Sequence, residues 1–461
     1  MIPITLKKLA TITHGVLQQI NTQQIDNFWL KTITTNSNQQ SIDGLFIALK
    51  GKYFDGHDFA TEAVANGAIS LLVDHKLSIN CPQIIVKNTR IAMGKLAAWV
   101  RSQSKAKVIG ITGSSGKTAV KNMVASILSQ YSMTLFTDAN FNNDIGVALT
   151  LFRLTLEYKY VVIEIGANHI GEIEYMTNII KPNSVLVNNM YASHLEGFGS
   201  LAGVSKAKGE IFRWLNKTGT AVINLSSHNW HNWQYYCTQQ QTVWRFSVIK
   251  QQQADFYAEN ISIKPFGVGF KAYTPTGITK ILLPLHGKHN VANALAAIAL
   301  SMSVGATLEQ SVNGLETVKP VTGRLFPIYL LPGKLILDDT YNANPASMIA
   351  AANVLSKMPG YRILVIGDMS ELGNQSKQYH QEVGHAIWQM KINCILSVGQ
   401  QSAIISHSNR GCGKHFLSKQ ELIENLIPLI QEYHPVSVLI KGSRSTKMEE
   451  VVNAVQEHFL C

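Results

Sequence analysis

A chain of 461 residues is long enough for several domains, and at roughly 150 residues per domain three are expected. With 46% hydrophobic and 15% charged residues it reads as globular, and no apolar run approaches the ~18 residues of a membrane helix. The formal net charge of +11 is dispersed, without a basic block or a basic stripe interleaved with aromatics, so it excludes no fold but disfavours nucleic acid and suits small anionic ligands.

The first hundred or so residues mix short apolar runs with Gly and Asp turns, as in Asp43-Gly44-Leu45-Phe46 and Tyr53-Phe54-Asp55-Gly56-His57. Ile84-Ile85-Val86 reads as a strand, and 91–102 as a helix. Val108-Ile109-Gly110-Ile111 has the β-branched composition of a buried strand and leads through a Gly-rich turn into a helix over 118–130. Val161 to Ile165 and Ser184 to Val187 read as further central strands. The Asn-, Gln-, His- and Trp-rich stretch 226–253 is expected to be a surface segment between elements. An Ala-rich helix spans 289–304. A fresh α/β pattern follows Pro320, with strands near 335–337, 363–366, 395–398 and 438–440.

Strands alternating with helices predict an α/β protein with doubly wound parallel sheets. Boundaries near 105 and 322 give domains 1–105, 106–322 and 323–461. The N-terminus carries Lys7 and Lys8 but no apolar core of a signal peptide, so a cytoplasmic protein is expected. Five scattered cysteines, Cys81, Cys237, Cys394, Cys412 and Cys461, form no C-x-x-C pair and predict free thiols.

Gly113-Ser114-Ser115-Gly116-Lys117-Thr118 is the strongest chemical signal. Placed between a strand and a helix, its glycines let backbone N–H groups converge on phosphate oxygens. Lys117 adds a charge for the β- and γ-phosphates, and the Thr118 hydroxyl suits Mg²⁺. Ile111 stands where a strict Walker A loop has glycine, so this is the shorter G-x-x-G-K-T form. Glu164 interrupts an apolar strand, where an unpaired carboxylate costs several kcal/mol and a cation relieves it. His194 follows another strand end and reads, taken alone, as a loop histidine.

Together with Asn142-Asn143-Asp144-Ile145-Gly146, His194-Leu195-Glu196-Gly197-Phe198, Lys206-Ala207-Lys208-Gly209-Glu210, His289-Asn290-x-x-Asn293, Gly323-Arg324, Asp338-Asp339-Thr340-Tyr341-Asn342-Ala343-Asn344-Pro345 and Lys441-Gly442-Ser443-Arg444, these residues resemble the Mur ligases over essentially the whole chain. Within that family the likeness is to members that add D-alanyl-D-alanine to UDP-N-acetylmuramoyl-tripeptide in peptidoglycan synthesis. The resemblance implies an N-terminal domain for the UDP end of the substrate, a central P-loop ATPase and a C-terminal Rossmann-like domain. It implies ATP and Mg²⁺ as cofactors, with Thr118 and Glu164 on one metal ion and His194 at a second. Lys208 falls where relatives carry a lysine carbamylated by CO₂, and Lys206 is the weaker candidate. Asn290 is expected at the adenine, with Arg324, Asp339, Asn342 and Asn344 reaching ATP from the C-terminal domain. Lys441, Ser443 and Arg444 are expected near the incoming dipeptide. Ser37, Gly44, Phe46, Lys50, Gly51, Asp55, Gly56 and His57 fit the UDP-sugar region, and Asn142 and Asn143 the substrate side of the centre. Asn36-Ser37-Asn38 departs from the family, which often has arginine at the third position, and Val147 replaces a frequent proline.

The resemblance implies a monomer that activates a carboxylate as an acyl phosphate, with neither nucleic acid nor membrane as partner. Another amide ligase of the superfamily, such as a folylpolyglutamate synthase, is the nearest rival. A P-loop ATPase stimulated by nucleic acid, and a nucleotide-binding module without chemistry, are rivals of other classes.

Overall fold

Strands buried on both faces cannot alternate polar with apolar residues, and runs such as Tyr160–Glu164 and Ser184–Val187 therefore mark the centre of a parallel sheet. The computed structural model describes residues 1–19, 28–228, 230–264, 266–409 and 411–460. Cys461 lies outside them, and the other four cysteines are free thiols.

Three larger sheets organise the described residues. A five-stranded sheet runs in the order Val16–Gln18, Gln83–Ile85, Ala68–Val73, Gly44–Ile47 and Thr32–Thr34, parallel except at its first strand. In the nine-stranded central sheet, Lys107–Thr112 sits between Tyr160–Glu164 and Ser184–Val187, with Thr134–Phe136 beyond the former and Thr220–Asn224 beyond the latter, all parallel. The chain therefore changes direction across Lys107–Thr112, and the crevice at the carboxyl end of that strand is where open α/β sheets bind ligands. A six-stranded sheet, Phe326–Leu331, Lys334–Asp339, Val436–Lys441, Tyr361–Ile366, Cys394–Val398 and Gly413–Phe416, is parallel except at its first strand. The α/β class and the mostly parallel sheets agree with the sequence reading.

Helix Thr89–Gln103 joins the first sheet to the second. Asn88 caps its start by accepting from Ile91 N at 2.9 Å, and its apolar face, including Met93, Leu96 and Val100, belongs to one core with Val108, Leu151 and Ile180. It lies against helices Asp144–Phe152 and Glu172–Ile180.

Two departures concern the far edge of the central sheet. Strands Phe256–Lys264, Gly267–Thr274 and Gly277–Leu283 form an antiparallel meander that the sequence reading did not place. The stretch 226–253 is not merely a surface connection: it supplies helix Trp230–Gln234 and strand Thr242–Ser247, which pairs with Thr220–Asn224. Its Trp233 is fully buried, donates Nε1–H to Ser205 O at 3.2 Å and abuts Gly209, so it backs helix Leu201–Gly209. Removing so large a buried ring costs about 3–5 kcal/mol. Trp233→Ala is accordingly expected to lower the urea midpoint markedly; a midpoint shift equivalent to under ~1 kcal/mol would show the ring is not part of that packing.

Candidate active site

Gly116 adopts φ +76° and ends the phosphate loop where helix Lys117–Ser129 begins. A Cβ there would lie 2.5 Å from Asn188 Nδ2 and 2.7 Å from Asn293 Oδ1, so both conformation and space require glycine. No side chain caps this helix, which leaves its first N–H groups facing the crevice with the positive end of the helix dipole. The loop is held from below by asparagines. Asn189 Oδ1 accepts from Ser115 N at 2.9 Å, Asn188 Nδ2 donates to Ser115 O at 3.0 Å and to Asn293 Oδ1 at 3.0 Å, and Asn293 Nδ2 donates to Asn290 Oδ1 at 2.9 Å. Helix His289–Ser303 is thereby tied to the phosphate loop.

Beside the loop, Thr118 Oγ1 donates to Glu164 Oε2 at 2.8 Å and Asn142 Nδ2 donates to Glu164 Oε1 at 3.0 Å. Glu164 N donates to Thr137 Oγ1 at 3.0 Å. The carboxylate is 2% exposed, and among the described residues no lysine or arginine pairs with it directly. A hydroxyl and a carboxylate in contact are hard oxygen donors of the kind Mg²⁺ takes. Lys117 folds back to donate to Gly113 O at 2.8 Å. Its side chain borders open space, yet protein surrounds it closely enough that burial lowers its pKa, with Glu164 opposing and Arg324 reinforcing the shift.

Lys208 presents a different chemistry. It lies on the inner face of helix Leu201–Gly209, 2% exposed, while Lys206 points to solvent. Its Nζ has no hydrogen-bond or ion-pair partner among the described residues and sits 5.9 Å from the centre of the Phe198 ring. Burial, and secondarily Lys117, push its pKa well below the ordinary lysine range. The shift is toward the neutral amine, the form in which a lysine is nucleophilic.

His194 takes the left-handed φ of +52° ahead of the short helix Leu195–Phe198. Its Nδ1 approaches Glu371 Oε2 to 2.6 Å, at an angle outside hydrogen-bond geometry, and Leu195 N donates to Glu371 O at 3.1 Å. His194 lowers the Glu371 carboxyl below the usual range. The central and C-terminal sheets thus meet at this loop.

From the third sheet, Arg324 stacks on the Tyr341 ring at 4.2 Å. Asp339 accepts from Lys441 Nζ at 2.6 Å and from Leu325 N at 3.1 Å. Lys441 also donates to Asn342 O at 2.8 Å and is buried, so it braces the loop that follows Asp339 instead of reaching outward. Asn344 caps helix Pro345–Leu355 through Ser347 N at 2.9 Å.

These groups enclose one cavity of about 890 Å³, bordered by all three larger units. Of the expected site residues, Ser114, Ser115, Gly116, Lys117, Thr118, Asn142, Asn143, Glu164, His194, Lys208, Asn290, Arg324, Asp339, Asn342, Asn344 and Lys441 line it. Gly113, which opens the loop, is buried and does not line the cavity. Ser443 is buried and donates to Ala343 O at 3.3 Å, whereas Arg444 borders a separate small cavity and pairs with Glu449 at 3.1 Å. Ser37, Phe46, Lys50, Gly51, Asp55 and His57 stand apart on the first unit. Among them Phe46 is wholly buried in that unit's core, so its side chain packs and cannot touch a ligand there. His57 is also buried, with Nδ1 2.5 Å from Asp55 Oδ1 and Nε2 accepting from Asp74 N at 3.1 Å. Asn36 Oδ1 accepts from Asn38 N at 3.1 Å, so this departure forms a turn. Sequence reasoning missed Asn188, Asn189 and Arg90 as neighbours of the site; only the strand-end position of Asn188-Asn189 could have pointed to the first two.

Comparison with known proteins places this geometry. Three family models match in succession: Mur ligase family, catalytic domain, over residues 30–112; Mur ligase middle domain, over 111–301; and Mur ligase, glutamate ligase domain, over 323–444. The chain is 53% identical over 461 residues to the UDP-N-acetylmuramoyl-tripeptide--D-alanyl-D-alanine ligase of Escherichia coli (strain K12), covering 100% of each. It is 45% identical over 463 residues to the Haemophilus influenzae ligase of the same name, covering 98% of this chain and 100% of that one. Among solved structures, MurF from Acinetobacter baumannii superposes with a TM-score of 0.92 at 37% identity, covering 99% of each chain. A Mycobacterium tuberculosis folylpolyglutamate synthase shares the fold at a TM-score of 0.62 and 16% identity, over 81% of this chain and 94% of that one.

Proposed function

The chain belongs to the Mur ligase family, and on that premise we propose that it joins D-alanyl-D-alanine to UDP-N-acetylmuramoyl-tripeptide, driven by ATP, to make the pentapeptide nucleotide of peptidoglycan synthesis. The observation that carries the reading is the convergence of the phosphate loop, the Thr118–Glu164 pair and buried Lys208 on one cavity, in a chain alignable end to end with a ligase of that name. Residues 1–105, 106–322 and 323–461 serve as the UDP-substrate, ATPase and C-terminal domains. No helix among the described residues is long and apolar enough to cross a membrane. ATP and a UDP-linked peptide as substrates support a cytoplasmic location.

A carboxylate does not acylate an amine in neutral water, because its oxygen leaves poorly. A carboxylate oxygen of the tripeptide attacks the γ-phosphorus of ATP, the bond to ADP breaks, and an acyl phosphate forms. The amine of D-alanyl-D-alanine adds to the carbonyl carbon, loses a proton, and the tetrahedral intermediate expels phosphate. The loop N–H groups and Lys117 hold the transferring phosphates, and Arg324 meets the charge from the opposite wall. Thr118 and Glu164 would hold Mg²⁺, which would neutralise charge on the phosphates during transfer. Asn142 fixes the Glu164 carboxylate. Asn290 orders the adenine side, while Asp339, Asn342 and Asn344 shape the wall that closes on ATP, excluding water that would hydrolyse the acyl phosphate.

Carbamylation of Lys208 fits its surroundings. The neutral amine adds to CO₂, an N–C bond forms and a proton leaves to solvent, giving a carboxylate-like anion beside His194 where a second cation is expected. Ser443 and Lys441 then support the dipeptide end indirectly, through the loop after Asp339.

Glu164→Gln keeps the shape and removes the charge. The Mg²⁺ concentration for half-maximal turnover is expected to rise on the order of 10- to 100-fold; an unaltered Mg²⁺ titration would remove Glu164 from the metal site. The amine specificity is read by phosphate release: D-alanyl-D-alanine should stimulate it, and stimulation by glutamate alone would favour the folylpolyglutamate synthase reading.

A further inference from the structure

One cavity-lining pair has no part in the chemistry above. Arg90, the second residue of helix Thr89–Gln103, reaches from the first unit to Asp144, the first residue of helix Asp144–Phe152 in the central unit. Nε lies 2.5 Å from Asp144 Oδ2 and Nη2 2.6 Å from Oδ1, a bidentate fork. Both residues border the cavity, with Asn143, Glu172 and Tyr175 beside them.

The placement is asymmetric. Asp144 sits at a helix N-terminus, where an acid is favoured whether or not a partner exists. Arg90 sits at a helix N-terminus too, and that helix has no acid in its first turn, so the dipole works against it. Neither helix needs the arginine. Its side chain is 58% exposed, and Nη1 carries no hydrogen bond among the described residues. Arg90 is the exposed member of the pair, and Asp144, 20% exposed, stays favoured at its helix N-terminus without it, so the guanidinium is the side that can turn toward a ligand. The fork therefore offers a ligand a free guanidinium edge and an acidate side by side.

Its location decides the ligand. Asp144 follows Asn142, which holds the Glu164 carboxylate, while Arg90 belongs to the unit proposed to hold the UDP end. The peptide of the nucleotide must pass between these two places, with its third residue at the reacting end. We propose that Arg90 and Asp144 read the side chain of that third residue, favouring one that ends in both an ammonium and a carboxylate over one that ends in an ammonium alone. The carboxylate takes Nη1 of Arg90 and the ammonium takes Asp144. The inference rests on the ligase reading and deepens it.

The test compares two nucleotides, one with 2,6-diaminopimelate and one with lysine at the third position, with wild type, Arg90→Met and Asp144→Asn. Wild type should favour the diaminopimelate nucleotide. Arg90→Met should lower kcat/KM for it on the order of 10- to 100-fold, through KM, and collapse the preference. Asp144→Asn, losing a contact common to both ammonium groups, should weaken both nucleotides. KM for ATP should not move in either variant, a pattern that a general loss of packing would not give. An equal fall for both nucleotides in Arg90→Met, or an intact preference, overturns the inference while the ligase reading stands. Should Arg90→Met fail to fold, Arg90→Lys supplies the same comparison, since a lysine keeps the charge but not the fork and should retain only part of the preference; full retention overturns the proposal. Wild type that converts neither nucleotide overturns the ligase reading itself.

Discussion

Lys117→Ala is expected to reduce ATP-dependent phosphate release by roughly 10²–10³-fold or more, the scale of losing one preorganised charge stabiliser, while the UDP-linked substrate still binds. The lysine contributes one hydrogen bond to the loop, to Gly113 O, and the rest of the loop is held without it. Its backbone is held by Asn188 and Asn189, and Gly116 packs against Asn188 and Asn293. The variant therefore removes a charge from a formed cradle. At the cavity wall that charge is screened less than it would be in bulk water. Calorimetric titration with the UDP-muramoyl tripeptide should give a dissociation constant within about threefold of wild type, since those contacts lie elsewhere. Substantial ATP turnover in the variant would contradict the role given to the loop.

Lys208→Ala is expected to be nearly as damaging, on the order of 10²-fold, and partly reversible. Acetate or another short-chain carboxylate can occupy the space vacated by the side chain and restore an anion beside His194. Lys208→Arg should be inactive without rescue, because a guanidinium stays protonated and cannot form the carbamate. The wild-type enzyme prepared with ¹³C-labelled bicarbonate should show a carbamate carbon signal that Lys208→Ala lacks. Full activity in Lys208→Arg, or no recovery of Lys208→Ala with any carboxylate, would remove the carbamate from the account and leave the phosphate loop untouched. Backing this lysine is Trp233, so a cavity at the tryptophan is expected to weaken the same region from behind.

Much of this was legible before any coordinates. The strands Lys107–Thr112, Tyr160–Glu164 and Ser184–Val187 are buried on both faces, and continuous β-branched runs announce that burial. Glu164 stood out because a lone acid in such a run must have a partner, and the partner proves to be the hydroxyl of Thr118. Lys208 comes forward in the sequence only through the family resemblance; it is the structure that sets it with Val204, Ala207 and Ile211 on the inward face of a helix and leaves Lys206 off it.

What was hidden is either long-range or compositionally disguised. The asparagine chain joins Ser115 to Asn188 across 73 residues and Asn188 to Asn293 across 105, and no local pattern encodes such meetings. Arg90 and Asp144 are 54 residues apart on different units. The stretch 226–253 has the polar composition of a surface connection, yet Trp233 is in the core and Thr242–Ser247 extends the sheet. The edge meander escaped notice because strands such as Gly277–Leu283 show no clean alternation of polar and apolar residues: Ile278 and Leu282 are exposed alongside Lys280, and Thr279 and Lys280 break the continuous apolar run of a central strand. Phe46 is hidden for another reason: it neighbours turn residues in sequence, but Gly44–Ile47 is covered on both faces, so Phe46 packs with Ala60 and Leu71 on one side while Leu45 and Ile47 pack on the other.

Mass spectrometry of the nucleotide product tests the central claim most directly. Incubation with ATP, Mg²⁺, UDP-N-acetylmuramoyl-tripeptide and D-alanyl-D-alanine should yield a species heavier by one dipeptide less one water, together with stoichiometric ADP and phosphate. An unaltered tripeptide nucleotide, under conditions where a known ligase of this kind converts it, would contradict the account.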